Sequence, residues 1–360
     1  MKKPLKILIA IVFALLLCGC WDGTQLDSRG FVTAMSIDTN SEGNYLVSLE
    51  MPKVSKDTSD MEKSVKSNSH RSLNKAVYGV DIYTDNKVFM GHMKIALCGE
   101  ELLRDREMFK HTLDTLIRDR GISRTLLLLA VEGEGTDIIE ADTEDESLIG
   151  VYISNFFKKK NLTTFYRQTL DNLTKFFAEG ETVIIPRVEA KEEGLEFSGA
   201  AVMRDYVLAG WLSEDELRGL MWLSGKAGHH EININDEDDY FSINIDKYKS
   251  DLTFFEVDGE VYAVISIKLE GEAEEVSSAV DTDTDLLIQK AKQSIEADIN
   301  KAYEALYINM GVDGFNMERT LEKKSPNLYR AYIESKSKSV MDIIVLLGID
   351  VGINSKGAVE

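Results

Sequence analysis

The sequence begins with a basic head and a short apolar segment. Lys2, Lys3 and Lys6 precede an uninterrupted apolar run over residues 7–17. A basic head followed by a short apolar run is typical of a secretory signal, and this run is shorter than the roughly 20 residues of a membrane-spanning helix. We therefore expect the remainder of the chain to fold after export, as a water-exposed body that builds its own cores.

The residues after this run predict attachment to lipid. Leu17, Cys18, Gly19 and Cys20 resemble a bacterial lipobox, with Leu at −3, a small residue at −1 and Cys at +1. Cleavage is expected after Gly19, which makes residues 1–19 a lipoprotein signal peptide. The Cys20 thiol would then form a diacylglycerol thioether, with an N-acyl group on its amine, and each buried CH₂ adds about 0.8 kcal/mol to membrane attachment. A plain secretory peptide with an incidental cysteine is the alternative.

The charge of the chain excludes some partners. The sequence has 41 Lys and Arg against 62 Asp and Glu, a net charge of −21. Affinity for nucleic acid depends on neutralising phosphates with basic side chains, so no nucleic-acid partner is expected. The same charge disfavours binding flat to an anionic membrane, so attachment to a membrane would need an anchor.

No motif predicts catalysis, a metal or another cofactor beyond the lipid on Cys20. His229 and His230 are adjacent, so on a strand they would point to opposite faces. The acidic run 281–285 lacks the Gly and the distal Glu of a calcium loop. Cys98 lies in an apolar run and is predicted to be a buried thiol, and no nucleophile elbow or phosphate loop is present.

The first half of the mature chain alternates predicted strands and helices. Strands are predicted at 31–37, 45–51, 88–89, 93–98 and 125–131, and helices at 72–80, 101–118, 136–157 and 169–177. Residues 53–69 are rich in Ser, Lys and Asp, which predicts a loop. The acidic stretch around Pro186 suggests a boundary near residue 190.

The second half is richer in strands. Strands are predicted at 195–203, 206–211, 231–235, 240–248, 252–257, 261–269 and 340–353, and helices after Ser213, at 283–310 and after Pro326. Ser213 and Glu216 fit a capping box, and Asp258-Gly259 predicts a two-residue hairpin. We predict an α+β or mixed α/β protein of about three domains, with mixed and antiparallel sheets packed with helices, divided into regions 20–190 and 191–360.

Taken in order, several short motifs make the chain similar to the Ger(x)C family of spore-germination lipoproteins. The motifs are Gly19-Cys20-Trp21-Asp22, Gly91-His92-Met93-Lys94, Leu116-Ile117-Arg118-Asp119, Gly210-Trp211-Leu212, Arg218-Gly219-Leu220 and Trp222-Leu223. The sequence departs from the family at Asp313-Gly314-Phe315-Asn316. The family pattern there is Asp-x-Phe-Gly-x-Gly, and this chain keeps its Asp and Phe but lacks the two glycines that follow the Phe. Tyr329 stands where the family usually has Trp.

This resemblance implies a function by contact rather than by catalysis. It implies a non-catalytic C subunit of a nutrient germinant receptor, held by its lipid on the outer face of the inner spore membrane. The implied partners are a polytopic A subunit and a transporter-like B subunit. The residues that we name as partner contacts are Trp21, Asp22, Trp211, Asp313 and Phe315. Core packing is the competing interpretation for Trp211 and for Trp222.

Two other functions stay open at the level of sequence. A solute-binding lipoprotein that feeds a transporter would need a cleft between two similar α/β lobes, which the predicted antiparallel second half disfavours. A surface hydrolase would need a catalytic constellation that the motifs do not supply.

Overall fold

The computed structural model describes residues 29–54, 61–143, 148–158, 167–192, 194–224, 231–236, 239–276, 284–334 and 338–356. The signal peptide, Cys20, His229, His230 and the acidic run 281–283 lie outside these ranges. Within them, no helix is both long and apolar enough to cross a membrane.

Strands and helices alternate along the chain, as predicted for an α+β protein. The strands are β1 (Arg29–Phe31), β2 (Ala34–Thr39), β3 (Tyr45–Val54), β4 (Met61–His70), β5 (Lys87–Phe89), β6 (Ile95–Gly99), β7 (Leu127–Val131), β8 (Val183–Pro186), β9 (Glu189–Lys191), β10 (Gly194–Glu196), β11 (Ala200–Arg204), β12 (Val207–Leu212), β13 (Glu231–Asp236), β14 (Asp239–Val257), β15 (Glu260–Val276) and β16 (Ile344–Lys356). The α-helices are α1 (Leu73–Tyr78), α2 (Glu100–Arg104), α3 (Arg106–Arg118), α4 (Gly135–Glu140), α5 (Ile149–Phe156), α6 (Leu170–Ala178), α7 (Glu214–Ser224), α8 (Thr284–Tyr303), α9 (Met317–Lys324) and α10 (Pro326–Tyr329).

A five-stranded mixed sheet forms the first half, in the order β4-β3-β2-β6-β7. The pairs β2–β6 and β6–β7 are parallel, and the other two pairs are antiparallel. Every residue of β6 and β7 is buried, because α1, α2, α3 and α6 cover one face of the sheet while α4 and α5 cover the other. Burial on both faces explains their continuous apolar sequence.

Two buried carboxylates hold the helices α4 and α5 against this sheet. Asp38 on β2 accepts hydrogen bonds from the backbone N–H groups of Gly135 (2.7 Å) and Thr136 (3.1 Å) at the start of α4. Glu50 on β3 accepts from the N–H groups of Ile149 and Gly150 at the start of α5. A negative charge is favourable at a helix N-terminus, whose first N–H groups lack partners within the helix. Burial raises the pKa of both carboxyl groups above the usual range, and these hydrogen bonds oppose that rise.

A three-stranded antiparallel sheet, β12-β11-β8, joins the two halves of the chain. One of its faces completes the N-terminal core with Val183, Ile185, Ala201 and Met203. The other contributes Ile184, Ala200, Val202 and Leu212 to the core of the C-terminal half. Because β8 pairs with β11, the sheet crosses the division that we predicted at residues 190/191.

A four-stranded sheet, β13-β14-β15-β16, forms the C-terminal half. β15 and β16 are parallel, and the other pairs are antiparallel. The inward residues 261, 263, 265, 267 and 269 of β15 are buried beneath α7 and α8, as their alternation predicted. At the hairpin between β14 and β15, Asp258 (φ 53°) and Gly259 (φ 86°) both adopt left-handed conformations, which confirms the predicted two-residue turn.

The prediction of a loop over 53–69 was wrong where the structure describes it. Residues 61–70 form β4, which pairs antiparallel with β3 along its whole length. β4 lies at the edge of its sheet, and its backbone pairing with β3, rather than an apolar composition, makes it a strand. Composition therefore did not reveal the pairing of this segment.

Two predicted helices and a pair of predicted strands also differ from the structure. The helix predicted over 101–118 breaks at Asp105, whose extended backbone and carboxylate cap α3 through the N–H of Met108 (2.9 Å). The helix predicted over 136–157 is divided into α4 and α5, because Asp38 and Glu50 each bind a separate helix start. Conversely, the two strands predicted between 240 and 257 are one strand, β14, whose alternation shifts at β-bulges near residues 242 and 246.

The buried Glu50 should contribute strongly to stability. We expect Glu50→Ala to lower the free energy of unfolding of the mature chain by about 3 kcal/mol, since it leaves buried N–H groups at the start of α5 without an acceptor. Urea unfolding followed by circular dichroism measures the change. Glu42→Ala, in the exposed β2–β3 turn, is the matched control. Equal unfolding midpoints for the two variants would contradict this role of Glu50.

Candidate interaction surfaces

The predicted lipid site lies outside the described residues. Gly19, Cys20, Trp21 and Asp22 all precede Arg29, the first residue that the structure describes. Lipidation at Cys20 and the two partner contacts beside it therefore stay predictions.

The helix α8 continues as a π-helix over Glu304–Asn309, and Asp313 organises the turn between this segment and α9. Its Oδ1 accepts hydrogen bonds from the Tyr307 hydroxyl and from the N–H of Met317 (2.9 Å), and its Oδ2 accepts from the N–H of Glu318 (2.9 Å). Burial raises the pKa of the Tyr307 hydroxyl well above its usual value, and the neighbouring carboxylate raises it further. Asp313 is itself buried, so its visible role is to cap α9, and its predicted contact with a partner stays untested.

Phe315 packs against two tyrosines of the preceding helical segment, Tyr303 and Tyr307. Its ring centroid lies 5.0 Å from that of Tyr307, which in turn stacks on Tyr303 at 4.9 Å. The half-buried Phe315 also borders a cleft of about 190 Å³ between this turn and the three-stranded sheet. The adjacent Asn316, in a left-handed conformation, accepts a hydrogen bond from the N–H of Thr182 (2.9 Å), which ties the turn to β8. Phe315 thus contributes to packing and leaves only part of its ring exposed.

Trp211 is half-buried on β12 and contacts the N-terminal core. The guanidinium of Arg187 lies 5.8 Å from the centre of its ring, within the range of a cation–π contact. Its indole Nε1 is buried and has no hydrogen-bond acceptor among the described residues. Trp222, by contrast, is 3% exposed and belongs to the C-terminal core. The packing interpretation therefore holds for Trp222 and in part for Trp211.

The Arg-Gly pair of the sequence motif docks α7 onto α8. Arg218 makes two hydrogen bonds to the Asp298 carboxylate, from Nε (2.8 Å) and Nη2 (3.0 Å), and a third to Asp215 (2.8 Å). A Cβ atom on Gly219 would lie 1.9 Å from the carbonyl oxygen of Asp298, so the two helices approach where only glycine fits. This motif is therefore structural.

An apolar surface that the sequence did not predict lies on the outer face of the C-terminal sheet. We call it the outer patch, and its apolar residues are Phe255, Val257, Tyr262, Val264, Ile344 and Leu346. Pairing places Phe255, Tyr262 and Ile344 in one row across three strands, and Thr253, Val264 and Leu346 in the next. The rings of Phe255 and Tyr262 stack at 5.3 Å and 7°. Phe255, Val257, Ile344 and Leu346 are each between 41% and 48% exposed, so the patch is contiguous and open.

Further along the strands, the outer face of the sheet becomes polar. The two rows beyond the outer patch are polar, and they consist of Asp251, Ser266 and Gly348 and then of Lys249, Lys268 and Asp350. The sequence carries a signal for this change: residues 261–265 and 343–347 are continuous apolar runs, whereas polar and apolar residues alternate after residue 265. Apolar residues on both faces of these strand segments leave an apolar surface exposed on the outer face. Large exposed apolar patches commonly mark contact sites.

The remaining candidate residues show no arrangement for chemistry in the described part of the chain. Cys98 is fully buried, and burial raises the pKa of its thiol to about 12, so the thiolate is absent at neutral pH. His92 lies edge-on to Phe31, with ring centroids 5.1 Å apart. Among the described residues, no three His, Cys, Asp or Glu side chains gather as a metal ion requires.

Two family models match the chain in succession. The model described as "Spore germination protein N-terminal domain" matches residues 22–190, and the model described as "Spore germination B3/ GerAC like, C-terminal" matches residues 198–355. Together they span about nine-tenths of the sequence.

Individual relatives and a solved structure agree with these models. Spore germination protein B3 of Bacillus subtilis (strain 168) is 25% identical over 285 residues, covering 75% of each chain. Spore germination protein KC of the same organism is 20% identical over 340 residues, covering 84% of this chain and 81% of the relative. The crystal structure of the GerBC protein superposes with a TM-score of 0.60 at 18% identity, over 89% of this chain and 96% of that one, so the two share a fold.

The close approach of α7 and α8 gives a test of the Arg-Gly motif. We expect Gly219→Ala to lower the free energy of unfolding by about 1–3 kcal/mol, because the added methyl group forces the helices apart. Gly348→Ala is the control, since a Cβ there would come no closer than 4.0 Å to its neighbours. Thermal unfolding of both variants checks the prediction, and equal midpoints would show that the helices adjust freely.

Proposed function

Because the chain belongs to the Ger(x)C family of spore germination proteins, we propose that it is the lipid-anchored, non-catalytic C subunit of a nutrient germinant receptor. In this proposal it lies on the outer face of the inner spore membrane and supports nutrient-triggered germination by contacting the membrane-embedded A and B subunits. The observation that carries the proposal is the combination of a lipobox ending at Cys20 with an open apolar patch on the folded body.

The lipid anchor is supported by the order of residues in the sequence. A basic head, an apolar run and a small residue precede Cys20, and the thiol of a cysteine is the group that forms the thioether. The net charge of −21 disfavours binding to an anionic membrane through the general surface, so the anchor would supply the attachment.

The outer patch supports a function by protein contact. Its residues come from three strands whose backbones are fixed by continuous pairing, so the surface exists before any partner binds. A rigid apolar surface loses little conformational entropy on binding. The aromatic pair of Phe255 and Tyr262 has the composition of an interface centre, where a few aromatic residues often dominate the binding energy.

Tethering would make such a contact effective at low intrinsic affinity. A lipid-anchored chain moves in two dimensions beside its membrane partners, so binding resembles an intramolecular step with a raised effective concentration. A single patch of about six apolar residues can then hold a subunit that dissociates readily in solution.

The anchor makes a direct prediction. Cys20→Ala should leave a precursor that retains its leader and loses the acyl mass, since alanine offers no sulfur for the thioether. Mass spectrometry of the purified chain checks both points. Cys98→Ala is the control, because Cys98 is buried in the core and should not affect lipidation. A Cys20→Ala chain that still carries the lipid mass would refute the anchor.

The partner surface makes a second prediction. We expect Ile344→Asp with Leu346→Asp to reduce co-purification with the other receptor subunits from spore membranes by about tenfold or more, since two charges would be buried against an apolar partner. The same spores should respond weakly to nutrients while forming normally.

The control for this prediction lies on the same face. Ser266→Asp with Gly348→Asp adds the same charge in the polar row of the same sheet, outside the outer patch. Equal co-purification of the two double variants would exclude the outer patch as the contact. A large thermal stabilisation of the chain by a small nutrient would instead favour a solute-binding lipoprotein.

A further inference from the structure

A second surface, at the beginning of the described chain, differs in its balance of charges from the composition of the whole chain. A cleft of about 310 Å³ opens between β1, the paired strands β3 and β4, and the loop that precedes β5. Its lining includes the basic side chains of Arg29, Lys53 and Lys66, and one acidic side chain, Asp85. Basic side chains therefore outnumber acidic ones in this lining, whereas in the whole chain acidic residues exceed basic ones by 62 to 41.

Neighbouring charges leave this surface basic. Lys87 adds a further positive charge, because it pairs in register with Arg29. Glu62 lies opposite Lys53 on β4, so one of the basic residues faces an acid across the strands. The Asp81 carboxylate accepts a hydrogen bond from the N–H of Val88 at 2.7 Å and keeps its negative charge, so four basic residues stand here beside three acidic ones.

One exposed apolar side chain, Tyr83, lines the cleft, and a second, Ile82, precedes it in the same turn. Ile82 is 76% exposed and Tyr83 is 54% exposed. Both belong to a short 3₁₀ turn, residues 79–83, that is fixed by the buried Val80 and by the bond between Asp81 and Val88. The protein therefore holds an isoleucine and a tyrosine in water beside basic groups. We call the set of Arg29, Lys53, Lys66, Ile82, Tyr83 and Lys87 the cationic surface.

The length of chain that precedes this surface limits its distance from the proposed anchor. Residues 21–28 separate Cys20 from Arg29. A fully extended chain spans at most about 3.6 Å per residue, so Arg29 lies within roughly 32 Å of the acylated cysteine. The cationic surface is therefore the part of the described structure whose distance from the membrane is most tightly bounded.

We propose that the cationic surface rests on the bilayer, with its basic side chains among anionic lipid headgroups and with Ile82 and Tyr83 at the interface. This inference rests on the lipid anchor proposed above. Basic groups near an anionic leaflet are attracted to it within about a Debye length, roughly 8 Å at physiological salt. Tyrosine is favoured at the interface because its ring is apolar and its hydroxyl is polar. The contact would orient the acidic body, whose other surfaces the same leaflet repels.

A depth measurement on the lipidated full-length chain tests the proposal. A fluorophore is attached through Ile82→Cys, and the chain is reconstituted into vesicles of phosphatidylglycerol and phosphatidylcholine with a nitroxide-labelled headgroup as quencher. The buried Cys98 should not react with the label, and the thiol of Cys20 is consumed in the proposed thioether. Ile308→Cys is the matched control, because Ile308 is an isoleucine of similar exposure, 66%, in the C-terminal half.

We expect quenching at position 82 to exceed that at position 308 by about threefold or more, and to fall by about half in pure phosphatidylcholine or in high salt. Lys53→Glu with Lys66→Glu should reduce the quenching at position 82. Lys249→Glu with Lys268→Glu, a cross-strand pair of lysines in the C-terminal sheet, changes the charge equally and should not reduce it.

The outcomes separate this proposal from the anchor itself. Vesicle flotation with equal quenching at positions 82 and 308 would overturn the membrane contact and leave the anchor standing. Loss of flotation, together with an unmodified Cys20 in the mass spectrum, would overturn both. Quenching at position 82 that inorganic phosphate abolishes and that is independent of lipid charge would overturn the contact in favour of a site for a free anion.

Discussion

The burial of both faces of one small sheet holds this molecule together. β8, β11 and β12 place alternate side chains in two different cores, so Val183 and Ile185 belong to the N-terminal half while Ile184 belongs to the C-terminal half. A strand has a side-chain period of two, so a slip of one residue in the pairing would exchange the two sets of side chains. The register of this sheet therefore fixes how the halves meet. The hydrogen bonds between Asn316 and Thr182 add a polar link at the same junction.

Three buried carboxylates each cap the start of a helix in this fold. Asp38, Glu50 and Asp313 each accept backbone N–H groups from the start of a helix, and each is at most 8% exposed. An apolar side chain at such a position would leave the N–H groups without partners, and an unpaired buried charge would be costly. The helix start and the carboxylate therefore satisfy each other. Such pairs fix where a helix begins more sharply than apolar packing does, which explains why α4 and α5 are separate helices.

The sequence correctly predicted the elements that depend only on residues close to each other in the chain. The apolar spacing of α1, the capping box at Ser213 and the hairpin at Asp258 each depend on a few neighbouring residues, and the structure shows all three. β4 was missed because an edge strand is defined by its partner rather than by its own composition. The outer patch was missed because it exists only once the register brings Tyr262 beside Phe255 and Ile344. The residues around Cys20 remain a prediction from motif alone.

The sheet of β8, β11 and β12 also determines how a membrane contact in the N-terminal half would orient the C-terminal half. A lipid on Cys20 would limit the distance between the folded body and the membrane, but it would not set the orientation of that body, because a single point of attachment fixes no direction. A second contact between the cationic surface and the bilayer would fix the direction of the N-terminal half. Because β8, β11 and β12 are packed on both faces, that direction is transmitted to the C-terminal sheet without a hinge within this sheet. The outer patch would then face one direction relative to the membrane, and a partner embedded there would meet it with little further loss of rotational freedom.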